Sequence, residues 1–346
     1  MLARVTGIGY HIRRWRVARA SFVFGSLLVF AGAALSGCRD DEPKPSSGGA
    51  SPTEASTGAD LQSAGKALAS STSAPPSVPE PSAVPEPTVM PEPRCRPDMV
   101  KVTPPESPAF CVDRYEASLI DHASQRELSP YYSPSRKRAV AAHDGWLGKR
   151  LEVGSPSARA MGLPELAGWR RSAEVTPRAR SVRGVWPNGH VTGVSAAEAC
   201  VNAGKRLCTP TEWRVACGGE QGHRFPYGPT YVAGQCNVFR EAHPASVLHD
   251  DPSAGHDDPR LNRVTVRGKP LLRKTGDTAT CASRWGDDAI YDMVGNLDEW
   301  VEHPRGSFAG GFYARSSKDG CDWRSTAHSN GYADYSTGVR CCADMP

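Results

Sequence analysis

The stretch DMVGNLDEW, Asp292–Trp300, decides the fold of this 346-residue chain. It sets three carboxylates, on Asp292, Asp298 and Glu299, around a Gly-Asn pair that is typical of a tight turn. Carboxylate oxygens and backbone carbonyls freed by a turn are ligands that Ca²⁺ prefers in proteins. The spacing differs from the EF-hand calcium loop, so a solvated acidic turn closed by a core tryptophan explains the pattern equally well.

Five other segments accompany this stretch along the chain. They are CVDRYEAS (111–118), VTGVSAAEAC (191–200), GKRLCTPTEW (204–213), GGFYAR (310–315) and TGVRC (337–341). In this order they resemble the formylglycine-generating enzymes, also called sulfatase-modifying factors. The resemblance implies an α+β fold with little regular secondary structure, similar to that of C-type lectins, with small sheets, two helices and bound Ca²⁺.

The N-terminus has the features of an export signal that ends in a lipidation site. Arginines precede a short apolar run at 21–35, which is too short for a membrane-spanning helix. The run ends in Leu-Ser-Gly-Cys, which resembles a bacterial lipobox with Cys38 as the lipidated residue; a plain signal peptide with a chance cysteine is the alternative. We therefore predict a lipoprotein signal peptide over 1–37 and a membrane anchor at Cys38, facing the periplasm or the cell surface.

Residues 38–94 are predicted to form a disordered tether. This segment consists mainly of Ser, Ala, Pro, Glu and Gly, and it lacks the large apolar side chains that could offset the entropy of ordering. Its repeated Pro-Glu-Pro units (78–93) favour extended polyproline II. A folded domain is predicted over 95–346.

Cysteine usage supports export. The chain has 11 cysteines, and without Cys38 an even number remains, which predicts five disulfides in a disulfide-rich domain. Adjacent cysteines bridge poorly, so Cys341 and Cys342 must each pair elsewhere. The local pairings that the spacing suggests are Cys95 with Cys111 and one bridge among Cys200, Cys208 and Cys217.

Two segments carry helical signals. VSAAEACVNAG (194–204) has Ser195 as a candidate N-cap and Gly204 as a stop, and TPTEWRVACGG (209–219) has Thr209 or Thr211 as its cap. Little else is predicted to be helical. The 34 glycines and 30 prolines instead predict long irregular connections that disulfides hold in place.

The family resemblance implies two structural calcium sites. The ligands of the first correspond to Asp292, Gly295, Leu297 and Glu299. The second begins at Asn237 and Val238, and its acidic ligand is one of Asp257, Asp258 and Asp277. Since calcium does no redox chemistry, these ions would hold loops together.

The resemblance also implies an oxidase site, from which this chain departs. In the family, two cysteines after a Gly-Gly-Ser motif bind copper and use O₂ to oxidise a cysteine of a client sulfatase to formylglycine, which requires soft and reactive thiolates. Here the positions that differ are Phe312 for the serine, Arg315 for the first cysteine, Gly320 for the second and His328 for a later arginine. Cys321 lies one residue from the second position, and it is either a residual nucleophile or copper ligand or half of a disulfide with Cys341 or Cys342.

Other conspicuous residues receive structural interpretations. Trp213, Trp300 and Trp323 are predicted to be core aromatics. The loop HDDPSAGHDDP (249–259), with His243 nearby, is predicted to be a solvated insertion, with a transition-metal site as the alternative. The formal charge of +4 is modest, and the basic run at 170–183 has no interleaved aromatics, so a nucleic-acid partner is not predicted.

The sequence thus predicts an exported, lipid-anchored module, braced by calcium and without copper, that has lost the family's oxidase chemistry. It is predicted to act as a binding or structural module, with a protein, peptide or glycan as the ligand if it binds one. The alternative is an active formylglycine-generating oxidase that modifies a client protein with copper and O₂. Arg315 at the first cysteine position separates the two hypotheses.

Overall fold

Fourteen short strands and six α-helices make up the part of the chain that the computed structural model describes, residues 94–315 and 318–346. The predicted signal peptide, its Cys38 and the predicted tether as far as residue 93 lie outside the described residues. Within the described ranges, none of the helices has the length and apolar character needed to cross a membrane.

The strands form two sheets of four strands and three two-stranded ladders. Their bounds are β1 Met99–Val102, β2 Phe110–Asp113, β3 Ala117–Asp121, β4 Pro177–Ser181, β5 Arg206–Leu207, β6 Thr265–Val266, β7 Lys269–Pro270, β8 Ala282–Trp285, β9 Asp288–Tyr291, β10 Asp298–Trp300, β11 Phe308–Ala309, β12 Arg324–Ser325, β13 Thr337–Val339 and β14 Cys341–Asp344. The two-stranded ladders are β3 with β4, β6 with β7 and β8 with β9.

Strand pairing places the last strand, β14, in the interior of the first sheet. The first sheet has the order β1-β2-β14-β5, so that β14 lies between two strands from much earlier in the chain. The second sheet has the order β12-β11-β10-β13, and β10 pairs in parallel with β13, with Glu299 opposite Gly338. This parallel pair places the TGVRC segment beside DMVGNLDEW.

Both predicted helices are present. The helices are α1 Arg136–Lys149, α2 Pro156–Ala160, α3 Trp169–Ser172, α4 Gly193–Asn202, α5 Pro210–Gly218 and α6 Pro244–His249, with 3₁₀ turns at Leu261–Arg263 and Gly320–Asp322. α5 begins as predicted, with a capping box between Thr209 and Glu212. The predicted cap of α4 is wrong: Thr192 is the N-cap, and Ser195 is the third helical residue of its capping box.

The longest helix, α1, was not predicted. Only Ala139 and Trp146 are buried along its 14 residues, so it has no apolar stripe from which the helical period could be read. Its contacts come from its neighbours, among them α3. A helix of this kind depends on tertiary packing and is poorly visible in a single sequence.

The five predicted disulfides are present, but their connectivity is mostly long-range. The pairs are Cys95–Cys111, Cys200–Cys341, Cys208–Cys342, Cys217–Cys321 and Cys236–Cys281. The first was predicted, whereas the expected local bridge among Cys200, Cys208 and Cys217 is wrong. Successive residues of a strand point to opposite faces, so the Cys341–Cys342 doublet on β14 reaches two different segments. Five disulfides are typical of an oxidising, exported environment.

The aromatic core agrees with the sequence prediction in two of three cases. Trp213 and Trp300 are fully buried in neighbouring clusters, while Trp323 is half-buried against the second of them. The segment 249–259 is not simply a solvated insertion, because Leu248 and Leu261, which border it, both lie in a third buried cluster. This cluster packs α6 and its 3₁₀ turn against the rest of the domain.

Candidate functional site

The polar side chains of the DMVGNLDEW stretch are buried, which rules out the solvated acidic turn. Asp292, Asn296, Asp298 and Glu299 are each at most 2% exposed. The turn itself needs glycine, since Gly295 has a φ of 82° and a Cβ there would lie 2.2 Å from the carbonyl oxygen of Asn237. The stretch is therefore a structural centre of the domain.

Asn296 joins several segments of the chain through its side-chain amide. Its Nδ2 donates to Glu116 Oε2 and, at 3.2 Å, to the carbonyl of Arg273. Its Oδ1 accepts hydrogen bonds of 2.9 Å from Asn237 Nδ2 and from the backbone N–H of Arg273. Glu116 also accepts a 3.0 Å bond from the Leu297 N–H. One amide therefore fixes the turn against the residue that precedes strand β3 and against two distant loops.

Glu299 forms a buried ion pair with Arg340. The guanidinium Nε and Nη2 donate to its carboxylate at 2.7–3.0 Å, and the Trp213 indole donates at 2.7 Å. Arg340 is fully buried and also donates to the carbonyls of Asp113 and Tyr291. The pair thus ties β10 to the first sheet and to β9. A buried pair with each atom bonded makes a fold specific but is costly to break.

Three carboxylates share this one buried cation. We call Glu116, Asp292, Glu299 and Arg340 the acidic cluster. Burial, followed by the nearby charges of Asp292 and Glu299, raises the pKa of Glu116 well above its usual range. Burial likewise raises the pKa of Asp292 to about 7, although the Gly276 N–H, which donates to Asp292 Oδ2 at 2.6 Å, and Arg340 oppose the shift. When all three acids are ionised, the negative charge of the cluster exceeds the positive charge of Arg340.

The first predicted calcium site fits this cluster in part. An added cation beside Asp292 would complement the negative charge of the cluster, although Arg340 and the half-buried Arg273 already act on this carboxylate. Glu299 does not fit as its ligand, since each of its oxygens already accepts two N–H contacts and a carboxylate oxygen has about two lone pairs. Among the described residues, no group of three His, Cys, Asp or Glu side chains is arranged as a metal site. Asp292 and the carbonyls of Gly295 and Leu297 would be the remaining ligands.

The second predicted calcium site has one matching feature. Asn237 is buried, and its Oδ1 has no hydrogen-bond partner among the described residues. A buried amide oxygen of this kind could serve as a ligand to a cation. Asp258 is committed to Arg260 and His249, and Asp257 accepts a bond from the Trp146 indole. Of the three candidate acids, this leaves Asp277 as the acidic ligand to test. Calcium beside Asn237 and Val238 stays a prediction.

The position of the family's first catalytic cysteine carries an ion pair. Arg315 Nη2 donates to Asp298 Oδ2 at 2.8 Å, and its guanidinium lies 4.2 Å from the Trp323 ring centroid and 5.0 Å from that of Phe312. Burial raises the pKa of Asp298 to about 7 although Arg315 opposes the shift. Within the described residues, Asp298 Oδ1 and Arg315 Nε have no hydrogen-bond partner.

Cys321, the candidate for the second catalytic cysteine, is bonded to Cys217 of α5. The expected pairing with Cys341 or Cys342 is wrong, because those residues bind Cys200 and Cys208. All ten cysteines of the described residues are in disulfides. The structure therefore brings no pair of free thiols together for copper.

Half-buried aromatic rings continue from Arg315 along the surface. We call Arg315, Trp323, His328 and Tyr332 the Arg315 surface. His328 stacks on Tyr332 with ring centroids 3.8 Å apart, and both it and Trp323 pack against the buried Phe308. The Tyr332 hydroxyl donates to a carboxylate oxygen of Asp334 at 2.6 Å, and Tyr332 lies within electrostatic range of Arg315. A cation held among aromatic faces is a common composition for a ligand-binding surface.

The histidines near the acidic loop do not converge on a metal. His249 bonds Asp258 and stacks on Trp146, while His243 caps α6 and bonds the Tyr335 hydroxyl at 3.0 Å. Each ring thus has its own structural partner, and the transition-metal alternative has no support among the described residues.

Comparisons with known proteins place the fold. A family model described as "Sulfatase-modifying factor enzyme 1-like domain" matches residues 102–344, in agreement with the resemblance read from the sequence. Solved structures with similarity to the chain include the Major Tropism Determinant U1 variant (14% identity, 68% of this chain and 50% of that chain covered, TM-score 0.33). Others are PvdO from Pseudomonas aeruginosa (12%, 71% and 91%, 0.32) and CarF (13%, 69% and 87%, 0.30). This chain spans half the length of the first of these structures. No curated protein matches the chain.

Proposed function

Because this chain belongs to the sulfatase-modifying factor family, we propose that it is an exported binding module that has kept the family's fold and lost its cysteine-oxidase chemistry. The observation that carries the proposal is Arg315 at the first catalytic position together with the Cys217–Cys321 disulfide, which occupies the cysteine next to the second position, Gly320. Both changes remove a thiolate that the copper chemistry of the family requires.

Copper oxidation of the family's kind needs two thiolates that can hold Cu(I). A disulfide sulfur has no thiolate to offer, and a guanidinium stays protonated and repels a metal cation. Arg315 is moreover fixed by Asp298 and by the ring of Trp323. Reduction of one disulfide would therefore supply at most one of the two ligands at the expected positions.

The Arg315 surface is the proposed ligand site. Its rings are rigid because each packs on a buried neighbour, so little side-chain entropy is lost on binding. The guanidinium presents donors at a side chain that is 31% exposed. Aromatic faces next to a fixed cation suit a peptide or glycan that offers a flat apolar face and a hydrogen-bond acceptor.

Calcium and a lipid anchor complete the proposal. A cation beside Asp292 would offset the charge deficit of the acidic cluster and brace the turn that supports β10. Lipidation at Cys38 would hold the module at a membrane, and the Pro-rich segment would separate the two. Both features rest on the sequence prediction and on the family resemblance.

The loss of oxidase chemistry is tested on the full-length chain with Cys38→Ser, produced in an oxidising compartment. We expect no stoichiometric copper binding and no aldehyde in a CxPxR-type peptide incubated with copper and O₂, as measured by mass spectrometry. The control is the double variant Cys217→Ala/Cys321→Ala, which removes the candidate thiol. Peptide oxidation by the parent protein that is lost in this variant would overturn the proposal.

Ligand binding is tested by retention on immobilised glycan and peptide panels. We expect Trp323→Ala and Arg315→Ala to abolish retention of whatever ligand the parent protein binds. Arg324→Ala is the matched control, since Arg324 is exposed next to Trp323 and lies outside the Arg315 surface. Retention that survives both site variants would move the ligand site elsewhere, and retention of nothing by the parent protein would favour a purely structural role.

A further inference from the structure

A small cavity lies beside α1, and no residue of the Arg315 surface belongs to its lining. Its volume is about 210 Å³, and its walls include Tyr131, Arg138, His190 and Asp257. Its lining includes a buried histidine, His190, whose ring has an unpartnered nitrogen among the described residues. We call it the His190 cavity.

His190 forms the buried part of this cavity. The residue is 6% exposed, and its Nε2 has no hydrogen-bond partner among the described residues. Its backbone is held in the left-handed region, with a φ of 58°, and its N–H donates to the Asp334 carbonyl at 2.8 Å. Burial lowers the pKa of the imidazole to about 4, so the ring is neutral at pH 7. A buried imidazole nitrogen without a partner is costly, so a water or a polar group of a guest molecule that bonds this nitrogen is favoured.

A positive and a negative side chain, Arg138 and Asp257, lie at the more exposed part of the same cavity. Arg138 is exposed on α1 and uses one Nη2 contact, 2.8 Å long, to hold the Gly331 carbonyl, which leaves other guanidinium donors for a guest. Asp257 accepts from the Trp146 indole at 3.2 Å and lies within electrostatic range of His190. Asp258 and Asp334 also act on His190 electrostatically. The potential around the imidazole is thus negative, while Arg138 offers a positive counterpart.

We propose that the His190 cavity binds a small zwitterion of the α-amino-acid class, with its ammonium group at His190 and Asp257 and its carboxylate at Arg138. In the tautomer with its proton on Nδ1, His190 accepts a hydrogen bond from the ammonium at Nε2, and Arg138 binds the carboxylate through its guanidinium fork. The cavity volume of about 210 Å³ lies below the ~300–1,000 Å³ of sites for drug-sized ligands, so a ligand of the size of a single amino acid suits it.

The test uses the full-length Cys38→Ser chain with ¹⁵N-labelled histidine. The twenty standard amino acids are titrated singly at millimolar concentrations while the imidazole nitrogens of His190 are observed by NMR. We expect a saturable shift with at least one of them. The matching amine without a carboxylate and the matching hydroxy acid without an ammonium should each bind about tenfold more weakly or worse.

Variants separate this binding from water alone in the cavity. Arg138→Gln should lower the affinity for the amino acid that binds best by about tenfold. Lys137→Gln removes the same charge from the neighbouring exposed position and should leave this affinity unchanged. His190→Asn, a residue that tolerates the left-handed backbone, should abolish binding. The proposal is overturned by the absence of any shift, by equal binding of the amine and the amino acid, or by an Arg138→Gln variant that binds like the parent. Binding here is independent of the Arg315 surface, so Trp323→Ala should not alter it.

Discussion

The acidic cluster and the Arg315 surface both meet the DMVGNLDEW stretch, the first through Glu299 and the second through Asp298, yet they are built differently. In the acidic cluster, Glu299 and Arg340 are fully buried, and each bonds several partners from separate segments. On the Arg315 surface, the Arg315 side chain is 31% exposed and has one carboxylate partner, Asp298. A residue with many buried partners cannot change without loss of the fold, whereas a residue at an open ion pair can be replaced. The comparison explains how the chain can retain the family's scaffold while its catalytic positions differ.

The largest expected effect concerns the buried ion pair. Arg340→Met should destabilise the protein by about 3–5 kcal/mol, because it leaves Glu299 as an uncompensated buried charge. Urea unfolding, monitored by tryptophan fluorescence, measures the change. The double variant Arg340→Met/Glu299→Gln should recover part of the loss, and a single variant as stable as the parent would show that the cluster does not hold the fold together.

The second effect concerns the Cys217–Cys321 disulfide, which spans 104 residues. Its replacement by Cys217→Ala/Cys321→Ala should cost about 2–4 kcal/mol in the free energy of unfolding, since the unfolded chain regains loop entropy. The loss should be smaller than that of an isolated loop of this length because four other disulfides remain. Ligand retention by the folded double variant should equal that of the parent. A loss of retention would mean that the disulfide orders the binding surface.

The third effect is a pH dependence that originates at Asp292. Its pKa is about 7 in the folded protein and near 3.8 in the unfolded chain, so the folded state binds the proton more tightly. The stabilisation from this group is fully present below pH 3.8 and is lost as the pH rises through 7, by roughly 2–4 kcal/mol in total.

Melting curves in chelator between pH 5 and 8 measure this loss. Asp292→Asn should flatten the decline, and Asp287→Asn, at an exposed position nearby, should not. If calcium binds the ionised Asp292, added Ca²⁺ should raise the melting temperature at pH 8 more than at pH 5. An unchanged melting curve with Ca²⁺ at pH 8 would argue against the calcium brace.

The smallest effect on stability belongs to Arg315. Arg315→Ala should cost about 1 kcal/mol at pH 8, because the Arg315 side of the pair is partly exposed although Asp298 is buried. The cost should shrink at pH 5.5, since Asp298, with a pKa of about 7, then takes up a proton and no longer needs the cation. Unfolding of this variant at the two pH values provides the measurement. A loss as large as that of Arg340→Met would erase the difference between the two regions.

The sequence carried a large part of this architecture. Four features could be predicted: the family motifs, the even number of cysteines, the Cys95–Cys111 bridge and the capping box of α5. Each depends either on residues close together in the sequence or on the number of residues of one type. These features follow from chemistry within a few residues, which a single sequence displays directly. Helix α1 could not be predicted because it lacks an apolar stripe. Glu116 and Arg340 belong to two of the family motifs, but their positions in the sequence do not indicate that they lie close together.

Contacts between distant segments were decided only by the tertiary structure. The parallel pairing of β10 with β13 brings Arg340 to Glu299, and the alternating faces of β14 send Cys341 and Cys342 to different partners. Burial raised the pKa of Asp292 and Asp298 to about 7, whereas the residue type alone predicts the usual carboxyl pKa. The sequence by itself determined the family, the disulfide count and the altered catalytic position at Arg315. Only the fold determined that Cys321 is bonded, that the acidic turn is buried and that His190 lines a cavity, because each depends on how segments far apart in the chain pack together.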